Sequence, residues 1–135
     1  MLRNPAVVEN LWSLNDAIVS QGIPDSAFTL RVSDGDRYRD CAGRIVSASD
    51  DRPVRDSAQT SRHLYENGAV AVDLVVTGIN MRTFRLALST TSFDPRRTLS
   101  NYRNNPHVHI ELPTLYNLPL NAVPDQLTGR KDVCR

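Results

Sequence analysis

Neither sign of charge prevails in this chain. Sixteen basic residues stand against 15 acidic ones, for a formal net charge of +1. That balance excludes the broad basic field by which nucleic acids and anionic membranes are held. Aromatic residues make up only 6%, too few for a base-stacking surface. No apolar run approaches the roughly 20 residues of a membrane span. The opening "MLRNPAVVENLW" lacks the uninterrupted apolar core and small-residue cleavage site of a signal peptide. On that reading the protein works inside the cell, leaves by another route, or is cut from a longer precursor. The two cysteines, Cys41 and Cys134, lie far apart with no CxxC spacing. Two free thiols are expected, with a disulfide as the alternative in an oxidising compartment. Internal repeats and low-complexity tracts are also lacking.

What is present is an ordinary globular composition, 40% hydrophobic and 23% charged over 135 residues. That is one domain, 1–135, able to bury a core without metal or disulfide support. Asn4 suits an N-cap and Pro5 a first helical turn. Val7, Leu11, Leu14 and Ile18 then recur at helical spacing until Gly22 and Pro24. "AFTLRV" (27–32) alternates as a strand. Residues 33–61 are polar and read as a long loop with a short hairpin around Gly43. "GAVAVDLVV" (68–76) is β-branched and is followed by the turn residues Thr77 and Gly78. Asn80 caps a second helix carrying Met81, Phe84 and Leu88 on one face. "FDPRRTLSNYRNNP" reads as loop, and "HVHIEL" (107–112) as a strand closed by Pro113. The remainder, 113–135, is a tail that wraps the surface or is partly disordered. The order α-β-loop-β-α-β gives an α+β fold, with a small, mostly antiparallel sheet and flanking helices.

Histidine is scarce as well, with three in the chain, and their positions matter. Side chains alternate faces along a strand. His107, His109 and Glu111 therefore share one face, and Val108, Ile110 and Leu112 take the core face. In the earlier strand Val70, Val72, Leu74 and Val76 form a bulky face. Ala69, Ala71 and Asp73 lie opposite it, where an aspartate in a covered sheet needs a partner. A loop histidine such as His63 is ordinarily solvated, and a strand aspartate near a turn often satisfies backbone amides. Taken jointly, His63, Asp73 and one of His107 and His109 supply the imidazole and carboxylate set of a catalytic zinc site. Such a site acidifies a water and polarises a carbonyl. The clusters "DDRPVRD" (50–56) and "DPRR" (94–97) read as solvated loop faces. "SDGD" (33–36) lacks the ligand spacing of a calcium loop. Tyr38, Tyr65 and Tyr102 are candidates for a substrate groove wall.

The words "TSRH" (60–63), "AVDL" (71–74) and "HVHIEL" (107–112) together resemble the zinc peptidases of the D-Ala-D-Ala carboxypeptidase and phage endolysin group. Their fold is shared with the hedgehog signalling domain and the lysostaphin-type enzymes. "RVSDGDRYRD" (31–40) resembles the strand and turn that place an arginine beside the substrate in that group. The resemblance spans about residues 28–112. It implies a zinc peptidase acting on peptidoglycan stem peptides, as a carboxypeptidase or an endopeptidase. His63, Asp73 and His109 match the three zinc ligands, and Ser61 the serine that buttresses the first motif. Arg37, or Arg39, matches the arginine that stabilises a carboxylate or tetrahedral oxyanion. His107 matches the neighbouring histidine, which assists at the oxyanion or carries a proton.

Two features depart from the pattern. Nine residues separate His63 from Asp73, more than the group usually has, with "YEN" (65–67) lengthening the loop after Leu64. Many members also carry an acidic base three residues before the third ligand. That position is Pro106 counted from His109, or Asn104 counted from His107. The base role then falls to His107 or to Glu111, unless Glu111 orients a ligand histidine instead. Two other functions remain beside the peptidase. One is a non-catalytic relative whose metal site shapes a surface binding cell-wall peptide or protein. The other is a different metallohydrolase, such as a phosphodiesterase or nuclease. The implied substrate places the peptidase in the cell wall or periplasm, or outside the cell. Oligomeric state is left open.

Overall fold

The structure is a computed structural model and describes residues 2–40, 42–55, 58–101 and 107–119. Both cysteines, Tyr102 and the tail 120–135 lie outside the described residues.

Asn4 and Pro5 begin helix α1, Pro5–Val19, as their chemistry predicts. The Asn4 Oδ1 accepts from the Ala6 amide at 3.0 Å, satisfying an amide that the helix itself leaves unpaired. Val7, Leu14 and Ile18 are buried from this helix. Helix α2, Met81–Leu88, starts the same way, with the Asn80 side chain accepting from the Thr83 amide at 2.9 Å. Its buried face is Phe84, Ala87 and Leu88.

Six strands follow the chain: β1 Thr29–Asp34, β2 Arg37–Arg39, β3 Ile45–Ser47, β4 Ala71–Thr77, β5 Leu99–Asn101 and β6 His107–Glu111. Four form an antiparallel sheet in the order β1-β4-β6-β5. The helices share one core with Val72, Leu74, Val108 and Ile110, which covers one face of this sheet. Strands β2 and β3 form the hairpin expected around Gly43, whose φ of +79° suits glycine. Tyr38 and Val46 of that hairpin pack with Tyr65, Ala69 and Leu118 in a second, smaller cluster.

Several expectations are corrected in detail. The segment 94–101 is not plain loop. Asp94 is buried and caps a 3-10 turn, Pro95–Arg97, by accepting from the Arg96 amide at 3.0 Å. Strand β5 then adds an edge to the sheet. Tyr38 and Tyr65 are buried at 6% and 3% exposure and line no groove wall. The described start of the tail turns back on the fold, where the Leu118 amide donates to the Gly68 carbonyl at 2.8 Å. Among the described residues no helix is long and apolar enough to cross a membrane.

Candidate metal centre

The sheet face turned away from the helices carries the histidines. Antiparallel register sets Asp73 of β4 directly opposite His109 of β6, and Ala71 opposite Glu111. Ala71 is small and fully buried beside Asp73. The third residue arrives from a loop. His63 sits in a segment stitched on both sides, with the Arg37 amide donating to its carbonyl at 2.9 Å and the Val70 amide donating to the Arg62 carbonyl at 3.0 Å. The nine residues between His63 and Asp73 are accommodated there. Tyr65–Asn67 coil into a 3-10 turn that Gly68 closes in the left-handed region at φ +105°. Both ends of the loop are thereby returned to the same place.

Three donor atoms converge as a result. The separations are 3.3 Å from His63 Nε2 to His109 Nδ1, 3.4 Å from His63 Nε2 to Asp73 Oδ1, and 2.8 Å from His109 Nδ1 to Asp73 Oδ1. Among the described residues this is the group of histidine, cysteine and carboxylate side chains able to hold a metal ion. A tetrahedral ion with ligands at roughly 2.0–2.1 Å sets its ligand atoms about 3.3 Å apart. Two of the three edges already have that length. The third is a hydrogen bond, and exchanging its proton for a cation requires it to open by about 0.5 Å.

The remote nitrogens fit the same use. His63 Nδ1 lies 2.7 Å from the Gly35 carbonyl. A carbonyl only accepts, so Nδ1 carries the proton and Nε2 keeps its lone pair toward the centre. His109 Nε2 donates to Glu111 Oε1 at 3.0 Å, which leaves Nδ1 facing the centre. Each histidine is thus held in orientation by an acceptor behind it, as metal-ligating histidines are.

Electrostatics reinforce the arrangement. Burial alone raises the Asp73 carboxyl, but hydrogen bonds from His109 and His63 and their charges outweigh it, holding the pKa well below the usual carboxylate range. Burial lowers the His109 imidazole, yet the bonds to Asp73 and Glu111 win and raise it above the ordinary value. A histidine between two carboxylates favours the doubly protonated ring. A cation at Nδ1 takes the place of that proton.

The other expected residues divide into those near this group and those apart from it. Ser61 Oγ accepts from the His63 amide at 3.3 Å and from Arg37 Nη1 at 3.4 Å. Arg37 is half-buried and its Nε donates to Asp34 at 3.1 Å, so its fork is fixed beside the first ligand. Arg39 is engaged elsewhere, by Glu66 at 2.5 Å and the Gly43 carbonyl at 3.3 Å. His107 is half-buried opposite Asn101, one step along the same face, and is not among the converging ligands. Besides His109, the Glu111 carboxylate meets Arg97 at 3.5 Å and Arg62 at 3.8 Å.

One contributor carries no sequence signal, the Gly35 carbonyl. Its position follows from a β-bulge at Ser33, where Val32 pairs with Leu74 but Asp34 already pairs with Asp73. Bulges re-aim the chain that follows them. Here the chain leaving β1 brings Gly35 to His63.

Comparison of the chain with protein-family models, with curated proteins and with solved structures finds no match in any of the three.

Proposed function

We propose that the chain is a zinc-dependent peptidase that hydrolyses peptide bonds of peptidoglycan stem peptides, with a hedgehog or D-Ala-D-Ala-peptidase type of fold. The observation that carries this reading is the His63, Asp73 and His109 group, spaced for a tetrahedral ion and braced from behind at both imidazoles. A zinc ion there supplies Lewis acidity toward a water and toward the scissile carbonyl. The chain's own residues then have separate tasks. Arg37, braced by Asp34 and Ser61, presents a fixed positive fork to charge developing on the carbonyl oxygen. His107, half-buried on the same face, accepts and returns the proton. Glu111 and the Gly35 carbonyl keep the ligand histidines in orientation.

A second reading is a metal-binding module without catalysis. It is favoured by the engagement of both carboxylates near the centre, Asp73 with His109 and Glu111 with His109, Arg62 and Arg97. One experiment separates the two. Zinc content is measured on wild type and Asp73→Ala, followed by digestion of purified peptidoglycan with and without chelator. The peptidase reading requires about one zinc per chain, lost in the variant. It also requires release of peptide products that chelator abolishes and zinc restores. Stoichiometric zinc with no product formed establishes the binding module instead.

A further inference from the structure

Helix α1 carries more apolar surface than the core uses. Val7, Leu14 and Ile18 are buried in the core. A second stripe, Val8, Leu11 and Trp12, recurs at helical spacing beside them and leans over the edge of the sheet. There, with Leu30 and Val32 of β1 and Leu74 of β4, it lines a cavity of about 310 Å³. This stripe is left uncovered. Trp12 is 68% exposed and Val32 40% exposed, although tryptophan is among the residues that gain most from burial.

The strand beneath is an open edge. Among the described residues β1 pairs with β4 alone, so its outer row of amides and carbonyls is unpaired. Natural edges are guarded by shortness, lysine, proline or a bulge. β1 is six residues long, "TLRVSD", with a bulge at Ser33 but no lysine or proline. It carries one charge of each sign, Arg31 and Asp34. Arg31 lies opposite Val75, and the bulge brings Asp34 opposite Asp73, so both stand on the sheet face away from the helices. Arg31 is exposed and has no carboxylate partner among the described residues.

We propose that this edge is the interface of a homodimer, in which β1 pairs antiparallel with β1 of a second copy. A two-fold axis normal to the sheet makes the two strands antiparallel and keeps like faces together. With the pairing centred near Val32, Arg31 of each copy falls beside Asp34 of the other. Arg37 bonds Asp34 Oδ2, and a carboxylate accepts from more than one guanidinium. The strand is thus complementary in charge to itself, which favours a second copy over a neutral peptide as the occupant. On the helix side Trp12 and Val32 of the two copies meet. The cavity is lined from both β1 and β4, which sets α1 about half a strand spacing inside the edge. The two α1 axes then come roughly 9–10 Å apart, an ordinary helix-packing distance. A footprint of roughly 20 Å by 20 Å buries about 800–1,000 Å² over the two copies. That is the size of a weak, reversible contact. The two metal centres stand on the same face of one continuous sheet.

The test is sedimentation equilibrium of the full chain across about 1–300 µM, under reducing conditions that keep its thiols from cross-linking. Wild type should pass from monomer to dimer with a midpoint of roughly 10–100 µM. The chain's single tryptophan reports the same event: Trp12 emission should shift to the blue and resist iodide quenching as concentration rises. Val32→Lys places at the edge the charge that guards natural edges and should weaken association at least about tenfold. Arg31→Glu sets like charges together and should weaken it about fivefold or more. Both positions are exposed, and an unchanged circular dichroism spectrum and thermal midpoint check that each variant keeps the monomer fold. Leu115→Lys, at an exposed apolar residue elsewhere on the surface, should leave association unchanged. Association that survives either β1 variant undiminished, or that Leu115→Lys removes, puts the interface elsewhere and overturns the proposal. A monomer at every concentration overturns it too. If Trp12 is then shielded throughout, another part of the same chain occupies the groove; if it is quenched throughout, the face is solvated.

Discussion

Glu111 is the residue whose role the geometry separates most sharply, because positioning and base catalysis predict different losses. Its Oε1 accepts from His109 Nε2 at 3.0 Å, on the side of the ring away from the metal ligand atom. A charge-assisted hydrogen bond contributes about 1.5–3 kcal/mol net, against about 1 kcal/mol for a neutral one. Glu111→Gln keeps an acceptor and loses only the charge, so zinc affinity should fall by about fivefold, or about 1 kcal/mol. Glu111→Ala removes the acceptor and should weaken zinc by about 10- to 100-fold. Arg62 acts in the same direction, since it loses its carboxylate and leaves positive charge near the cation, whereas Arg97 keeps Asp94. The assay is competition for zinc against a chromophoric chelator at pH 7.5. If Glu111→Ala binds zinc within twofold of wild type, the orienting role is refuted. If Glu111→Gln keeps full zinc affinity yet loses more than about 100-fold in kcat, Glu111 is the base and His107 is not.

Two further expectations concern stability. Burial pushes the Asp36 carboxyl up from 3.8 to about 6, only partly offset by the Arg3 amide donating to it at 2.7 Å. A raised carboxyl favours the folded state while protonated, so this stability is present in acid and lost as pH rises through the folded value. The full effect, below about pH 4, is roughly 3 kcal/mol, of which about 1.4 kcal/mol remains at pH 5 and almost none at pH 8. His109, raised above 6.5, adds to the loss over the higher part of the range. Urea unfolding of metal-free protein should therefore show lower stability at pH 8 than at pH 5, and Asp36→Asn should remove most of the difference; a flat profile in wild type contradicts the assignment. Separately, Asn4 caps α1 and donates its Nδ2 to the Tyr116 carbonyl at 2.7 Å and the Gly68 carbonyl at 3.2 Å. Asn4→Ala should cost about 2–4 kcal/mol, read as a drop in midpoint by thermal unfolding; a loss below about 1 kcal/mol would mean that the cap alone matters.

Much of the architecture was legible because local chemistry and packing agree. The Asn-Pro start of α1, the Asn80 cap of α2 and the alternation in "HVHIEL" each place core and solvent faces without tertiary information. Strand β5 was not legible. It is three residues long, "LSN", with neither β-branching nor alternation, and only pairing with β6 makes it a strand. Asp94 looked like part of a solvated charge cluster because capping and burial depend on where the chain goes next. The tyrosines had a usable signal. In "RYR" Tyr38 must face opposite to Arg37 and Arg39, so one residue of β2 was bound to be buried if the arginines were not.

The site follows a similar division between residue type and register. His63, Asp73 and a histidine of β6 are recognisable by type, but alternation places His107 and His109 on one face and cannot choose between them. The choice is made by register, which sets His109 opposite Asp73 and leaves His107 two residues further along the same face, opposite Asn101. Arg37 and Arg39 pose the same ambiguity, since they too are two apart on one strand. It is resolved by partners remote in sequence: Ser61 and Asp34 hold Arg37 beside His63, and Glu66 holds Arg39. A one-residue slip between β4 and β6 would put Asp73 opposite Val108 or Ile110 and bury an unpaired carboxylate against the core. The hydrophobic pattern that fixes the sheet therefore also fixes which histidine meets the aspartate.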